Sequence, residues 1–236
     1  MTEARTVLVD GLRTRVRAQG EGPPLLLIGG VWSQVGLWDE VLPHFAGFTT
    51  ITFDPPGIGA TELPVLPYSI RRLGTFAAQV LEAIGVDRAH VLGVSLGGAV
   101  AQELARTFPD RVERLVLVST AYGVPAVIGR PSVLLRFMRP RAYRNLRQLE
   151  QNAGAIFGGR LRDEPELVHQ WHLRPPRSLR AYVWRLLGTT GWSSLPWLQG
   201  ITRPTLVVHG DDDPIVPLIN GRVLAWRIAL NGRTRR

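Results

Sequence analysis

Val91-Leu92-Gly93-Val94-Ser95-Leu96-Gly97-Gly98 opens as a short apolar run, becomes Gly-x-Ser-x-Gly, and passes into a helix-forming segment over residues 99–107. Strand, serine and helix in that order are the sequence form of a nucleophile elbow. A Ser in so tight a turn is forced into an unfavourable backbone conformation while strand and helix pass close together. Gly93 and Gly97 remove the side chains that would clash. With Ser95 at the tip, its hydroxyl stands clear of the sheet as the candidate nucleophile. The amide of Leu96 then sits at a helix N-terminus, where unpaired N–H groups can hold an anion. A Gly-rich connection with a bystander Ser would also match the five letters; the strand and helix patterns on either side favour the elbow.

Upstream, Pro24-Leu25-Leu26-Leu27-Ile28 is a continuous apolar run ending in Gly29-Gly30, the pattern of a strand buried on both faces of a parallel sheet. Such strands release their loops at the carboxyl edge, where ligands bind. The backbone N–H of Val31 is therefore the candidate second oxyanion donor. Thr6 to Val9 and Leu12 to Arg17 alternate around Asp10-Gly11 and predict an amino-terminal hairpin. Helical spacing follows over residues 36–45, then a strand over 49–53, then Asp54-Pro55-Pro56-Gly57-Ile58-Gly59, which reads as a rigid loop. From Ser69, apolar residues at Leu73, Phe76, Ala77, Val80, Leu81 and Ile84 mark a helix packed on a sheet and closed by Gly85. Strands over 90–94 and 115–118 complete a regular alternation, which predicts a mostly parallel, doubly wound α/β sheet.

Between Thr120 and Ile201 the alternation gives way to Arg-, Pro- and Trp-rich sequence with helical stretches over 133–139 and 179–187. The expectation is one domain with its core in residues 1–122 and 201–236 and a helical cap inserted at 123–200. Trp171, Trp184, Trp192 and Trp197 would give that cap apolar surface, either lining a substrate cleft or in its own core. The sheet resumes over residues 204–209 and ends in Gly210-Asp211-Asp212-Asp213-Pro214-Ile215-Val216-Pro217. Three carboxylates there are costly unless employed, and they lack the alternate-position spacing of a calcium loop.

At 236 residues, 45% hydrophobic and 20% charged, the chain can bury one sizeable core. No apolar run approaches the roughly 20 residues of a membrane span, and Met1-Thr2-Glu3-Ala4-Arg5 lacks a signal-peptide layout, so a cytoplasmic chain is expected. Zero Cys excludes disulfides, a thiol nucleophile and Cys-ligated zinc; the five His show no His-Glu-x-x-His spacing. No metal or cofactor is implied. The net charge of +9 is carried by Arg alone, and residues 124–200 hold 12 Arg against Glu150, Asp163, Glu164 and Glu166. No nucleic-acid module accompanies that excess, which reads as a solvated face, and nucleic acid is not expected as a partner.

Taken together these stretches resemble the α/β-hydrolase superfamily. The resemblance implies that the acid of a catalytic triad follows the strand after the cap, and it selects Asp213 over Asp211 and Asp212. Within the superfamily the chain is similar to the intracellular depolymerases of medium-chain poly(3-hydroxyalkanoate). The likeness is carried by residues 53–59 and the elbow, by Ile156-Phe157-Gly158-Gly159 and Gly191-Trp192-Ser193-Ser194-Leu195-Pro196-Trp197-Leu198 in the cap, and by residues 210–220 and 224–228. Leu96 stands where those depolymerases typically carry Trp. The resemblance also implies a chain order of Ser, Asp, His, with the His beyond one further strand. After Ile228 the chain reads Ala229-Leu230-Asn231-Gly232-Arg233-Thr234-Arg235-Arg236, with no His and no strand-like run. His209 precedes Asp213, and His44, His90, His169 and His172 lie on elements not expected to face Ser95. No general base is assigned. The fold is expected to lack its last strand and helix, and the activity to be impaired.

The function this implies is a serine ester hydrolase acting on poly(3-hydroxyalkanoate) or its oligomers, with a hydrophobic polyester granule as its surface. The alternatives are a small-ester or lactone hydrolase of the same fold, or a non-catalytic protein that keeps the pocket. Ser rather than Asp at the elbow argues against haloalkane dehalogenase and epoxide hydrolase chemistry.

Overall fold

The computed structural model of the chain describes residues 4–31, 33–139, 145–170, 178–230 and 234–235. Its centre is an eight-stranded sheet of β1 (Arg5–Val9), β2 (Leu12–Gln19), β3 (Pro24–Ile28), β4 (Thr49–Phe53), β5 (Ala89–Val94), β6 (Val112–Val118), β7 (Thr205–Val208) and β8 (Thr234–Arg235), in the order β1-β2-β4-β3-β5-β6-β7-β8. The hairpin β1–β2 joins antiparallel to β4, and the strands from β4 through β8 run parallel. The expectation that no strand follows Ile228 is corrected here. Thr234 and Arg235 pair with Thr205 and Leu206, because the outer rim of β7 presents unpaired main-chain donors and acceptors that any extended segment can meet.

The chain reverses its direction across the sheet at β3. From there β4 is laid on one side and β5 on the other, with Ile28 level with Gly93. The loops leaving β3 and β5 therefore diverge from a crevice at the carboxyl edge, the place where doubly wound sheets bind ligands.

Alternate residues of the strands feed two cores. Leu26, Ile28 and Val91 face α1 (Ile70–Ala83) and α2 (Leu96–Thr107), whereas Leu25 and Leu27 pack with Trp38 and Leu42 on the opposite face. The predicted helix over 36–45 is instead two 3-10 turns, Val35–Trp38 and Leu42–Phe45; Pro43 stands at the start of the second and supplies no N–H to carry one helix through. On α1, Ser69 accepts a hydrogen bond from the Arg72 amide at 3.3 Å, a cap of about 1 kcal/mol. Fully buried Phe76 contributes on the order of 3 kcal/mol more. Where α1 crosses α2, a Cβ on Gly74 would stand only 2.8 Å from that of Glu103, so the crossing requires glycine.

Between β6 and β7 lie α3 (Pro131–Phe137), α4 (Leu146–Phe157) and α5 (Leu179–Leu187). Leu149, Ala153, Ile156, Leu161 and Val168 form a separate small core there, closed by Ile58 and Val31 of the sheet's loops. The end of the inserted segment packs elsewhere. Trp192, Leu195 and Trp197 lie against the main core, the two indoles edge to face at 6.3 Å. Buried Glu103 of α2 accepts the Trp192 Nε1–H at 2.7 Å, and Arg106 lies over the Trp197 ring. These two tryptophans bind the segment to the back of α2. Trp184 lies beneath Arg180, and Trp171 is outside the described residues. After β7, α6 (Leu218–Ala229) buries Leu224 and Ile228 in the main core. Among the described residues no helix is long and apolar enough to cross a membrane.

Candidate active site

Ser95 sits between β5 and α2 with φ 53° and ψ −121°, the strained turn its sequence context requires. Both of its peptide groups are held. Its N–H donates to Val118 O at 2.9 Å, and its carbonyl accepts from the Gly98 N–H at 2.9 Å and the Thr120 hydroxyl at 2.7 Å. Behind the turn, buried Gln102 donates to Gly98 O and Ala121 O and accepts from the Ser194 hydroxyl at 2.6 Å, which ties the start of α2 to the segment before β7. A side chain on Gly97 would collide with the carbonyl of Ile28. One on Gly93 would stand 2.7 Å from the Cα of Gly98. The two glycines thus let β3, β5 and α2 converge on one point.

The loop from β3 passes directly in front of that point. A Cβ on Gly30 would stand 3.5 Å from Ser95 Cβ and 3.9 Å from its Oγ. Gly30 O accepts the Ser33 N–H at 3.1 Å, which folds the loop back, and Val31 packs into the small cap core. The Val31 and Leu96 amides belong to the two loops that bracket Ser95.

Asp213 reaches the same cavity from the loop after β7. Its Oδ1 accepts the amides of Ile215 at 3.0 Å and Val216 at 2.9 Å, and its side chain is 16% exposed. The neighbouring carboxylates are placed differently. Asp212 accepts two bonds from Arg162, at 2.7 and 2.9 Å, and one from the Gly159 N–H at 2.9 Å, so it latches the cap to the acid loop. Those bonds, the Arg162 pair foremost, hold its carboxyl well below the usual range, at about 2. Asp211 lines a second, smaller cavity beside α3. Among the described residues no group of three or more His, Asp or Glu is arranged to hold a metal ion.

Ser95, Gly30, Val31 and Asp213 share one cavity of about 780 Å³. Phe137, Phe157, Leu161 and Ile215 give it an apolar wall from the cap side, and Leu37, Trp38 and Val41 close it from the other. Trp184, Trp192 and Trp197, considered for this wall, are not on it; the two phenylalanines are. Ser119 at the end of β6 also lines the cavity, in a positive-φ conformation (42°) rare for a non-glycine residue. Its place at the carboxyl end of a parallel strand, between the elbow strand and the acid strand, was the available signal.

His44, on an element not expected to face Ser95, is exposed and lines the same cavity from the second 3-10 turn. The His209 side chain is buried, its Nε2–H donates to Val216 O at 2.7 Å, and it lies 3.9 Å from Asp213 Oδ2. It braces the acid loop and is not on the cavity wall. His90 stacks edge to face on Phe48, and His169 pairs with Glu150 on the cap at 3.0 Å. His172 lies outside the described residues. Among those described, no His is hydrogen-bonded to Ser95.

Residues 23–235 match the family described as alpha/beta hydrolase fold. Over 233 residues the chain is 40% identical to a poly(3-hydroxyalkanoate) depolymerase of Ectopseudomonas oleovorans, covering 95% of this chain and 81% of that one. It is 28% identical over 214 residues to 3-oxoadipate enol-lactonase 2 of Acinetobacter baylyi, covering 89% and 79%. Among solved structures it superposes on an enol-lactonase of Burkholderia xenovorans LB400 with a TM-score of 0.79 at 24% identity, over 98% of this chain and 89% of that one, a likeness of fold alone.

Proposed function

The chain belongs to the α/β-hydrolase fold family and is an ester hydrolase of that fold, and we propose that Ser95 is its nucleophile and poly(3-hydroxyalkanoate), or oligomers of it, its substrate. The observation that carries this reading is the single cavity in which Ser95, the Gly30–Val31 turn and Asp213 meet under an apolar cap wall.

In this scheme Ser95 Oγ attacks the ester carbonyl carbon and gives up its proton. The oxygen that becomes negative faces the N–H groups of Val31 and Leu96, fixed in place before the reaction begins. Collapse of the tetrahedral species expels the alcohol end of the polymer, and water then releases the acyl group from Ser95. The scheme calls for an imidazole, oriented by Asp213, to accept and return that proton, and none of the described histidines is hydrogen-bonded to Ser95 to do so. Asp213 Oδ1 is committed to two main-chain amides, which fixes the carboxylate plane toward the cavity.

The apolar walls suit the alkyl side chains of a polyester better than a charged acyl group. An exposed apolar stripe supports contact with the bulk polymer. On α5, Leu179, Val183 and Leu187 recur every four residues and are 74%, 37% and 51% exposed, and Arg180 on the same helix donates to Val65 O beside exposed Val65 and Leu66. An apolar stripe of that kind, with Arg180 beside it, fits adsorption to a hydrophobic granule. Lactone hydrolysis is the second reading, favoured by the similarity to the enol-lactonase. The two readings separate by substrate. Turnover of oligomeric 3-hydroxyalkanoate esters well above that of enol-lactones supports the polyester reading, and the reverse order supports the lactonase.

A further inference from the structure

Asp54 is fully buried, and the scheme above gives it no chemical role. Its Oδ1 accepts the Val35 N–H at 2.7 Å and its Oδ2 the Ala60 N–H at 2.8 Å; Arg15 stands 4.0 Å away. The left-handed turn at Gly59 (φ 55°) leaves room for the carboxylate, since any side chain there would run into it. A buried anion is costly unless its bonds secure something, and an apolar residue would fill the same space with less penalty. What these bonds secure is the loop that carries Gly30 and Val31. The same residue is also held from its other side, because Arg17 Nη2 donates to the Val35 carbonyl at 3.0 Å while pairing with Asp39. Val35, itself fully buried, thus has its N–H on an anion and its C=O on a cation, four residues beyond Val31.

We infer that Asp54 and Arg17 are positioning residues that clamp the peptide groups of Val35 and thereby hold the Val31 N–H at the spot where the oxyanion forms. The inference rests on Val31 being an oxyanion donor. Donors of this kind act only when fixed to within a fraction of an ångström, so loosening their loop weakens transition-state binding more than substrate binding.

The test uses the full chain and Asp54→Asn, which keeps the shape but turns an amide N–H toward one of the two main-chain donors. Two readouts are taken: amide hydrogen exchange over residues 29–38, and the rate and affinity of Ser95 acylation by a 4-nitrophenyl alkanoate. The clamp predicts faster exchange in 29–38 with α1 and β5 unchanged, and acylation about tenfold or more slower at a substrate affinity within about twofold of the parent. Arg17→Met should move both readouts the same way by less, and it carries the test if Asp54→Asn does not fold. Glu62→Ala, which removes an exposed side-chain pair with Arg13 of β2 and one bond from the Arg13 main-chain N–H, should move neither. Unchanged exchange in 29–38 in both Asp54→Asn and Arg17→Met overturns the clamp. Looser exchange with unchanged acylation overturns its link to the oxyanion. If the parent itself is not acylated even with imidazole added, the ester-hydrolase scheme fails instead, and the exchange readout still decides whether Asp54 and Arg17 hold the loop.

Discussion

Gly30 faces Ser95 so closely across the crevice between β3 and β5 that a single methyl group on it would rest 3.5 Å from the serine's Cβ. Gly97, one turn away, has no such room, since a methyl there would strike the Ile28 carbonyl. The two glycines therefore predict opposite outcomes. Gly30→Ala should fold with stability within about 0.5 kcal/mol of the parent and lose activity by narrowing the space before Ser95. Gly97→Ala should lose on the order of 3 kcal/mol, because backbone must move to admit it. Thermal or denaturant unfolding of the two variants checks the contrast.

The proton acceptor is tested by supplying one. Without an imidazole hydrogen-bonded to Ser95, acylation should be slow, and free imidazole, which the 780 Å³ cavity can admit, should accelerate it in a saturable way. His44→Ala should show the same basal rate and the same rescue. If it instead abolishes the basal rate, the rim histidine is the base.

Much of this arrangement was legible in the sequence, and the reason lies in range. The elbow at 93–97 and the turn at 29–31 are local patterns dictated by what a strand end must do, so each could be read from a few neighbouring residues, whereas Asp213 was separated from Asp211 and Asp212 only by the resemblance. The cap wall could not. Whether Trp192 or Phe157 faces the substrate depends on which side of the inserted segment meets α2, and the partner that draws Trp192 there, Glu103, is 89 residues away. His44 lines the cavity from the second of two 3-10 turns, where a single helix over 36–45 was expected. The two-residue strand β8 carries no periodicity to read; its pairing is set by the free rim of β7.

The apolar stripe on α5 predicts adsorption to polymer independent of catalysis. Leu179→Ser with Leu187→Ser should weaken binding to a medium-chain polyester film several-fold and leave hydrolysis of a soluble ester within about twofold of the parent. Both side chains are at least half exposed, so little stability is at stake. Film binding that does not change would remove this surface from the account.

Asp212 gives a pH dependence whose sign is fixed by its bonds to Arg162 and Gly159. A carboxyl held near 2 against an ordinary 3.8 contributes to cap docking above the ordinary value, and that contribution is lost as pH falls through the lowered one. A carbon-13 carboxyl titration should find Asp212 with a midpoint near 2, moving up toward 3.8 in Arg162→Gln. The latch should hold unchanged from neutral pH down to about 4.

The central claim, that Ser95 is the acylated residue, is tested most directly by trapping the acyl-enzyme. The chain is mixed with a 4-nitrophenyl alkanoate in the presence of imidazole, quenched in acid and digested, and the acyl group is located by peptide mass spectrometry. The account predicts a stoichiometric acyl adduct on the peptide containing Ser95, and none in Ser95→Ala. An adduct on any other residue, or nitrophenol release by Ser95→Ala at the parent's rate, would contradict it.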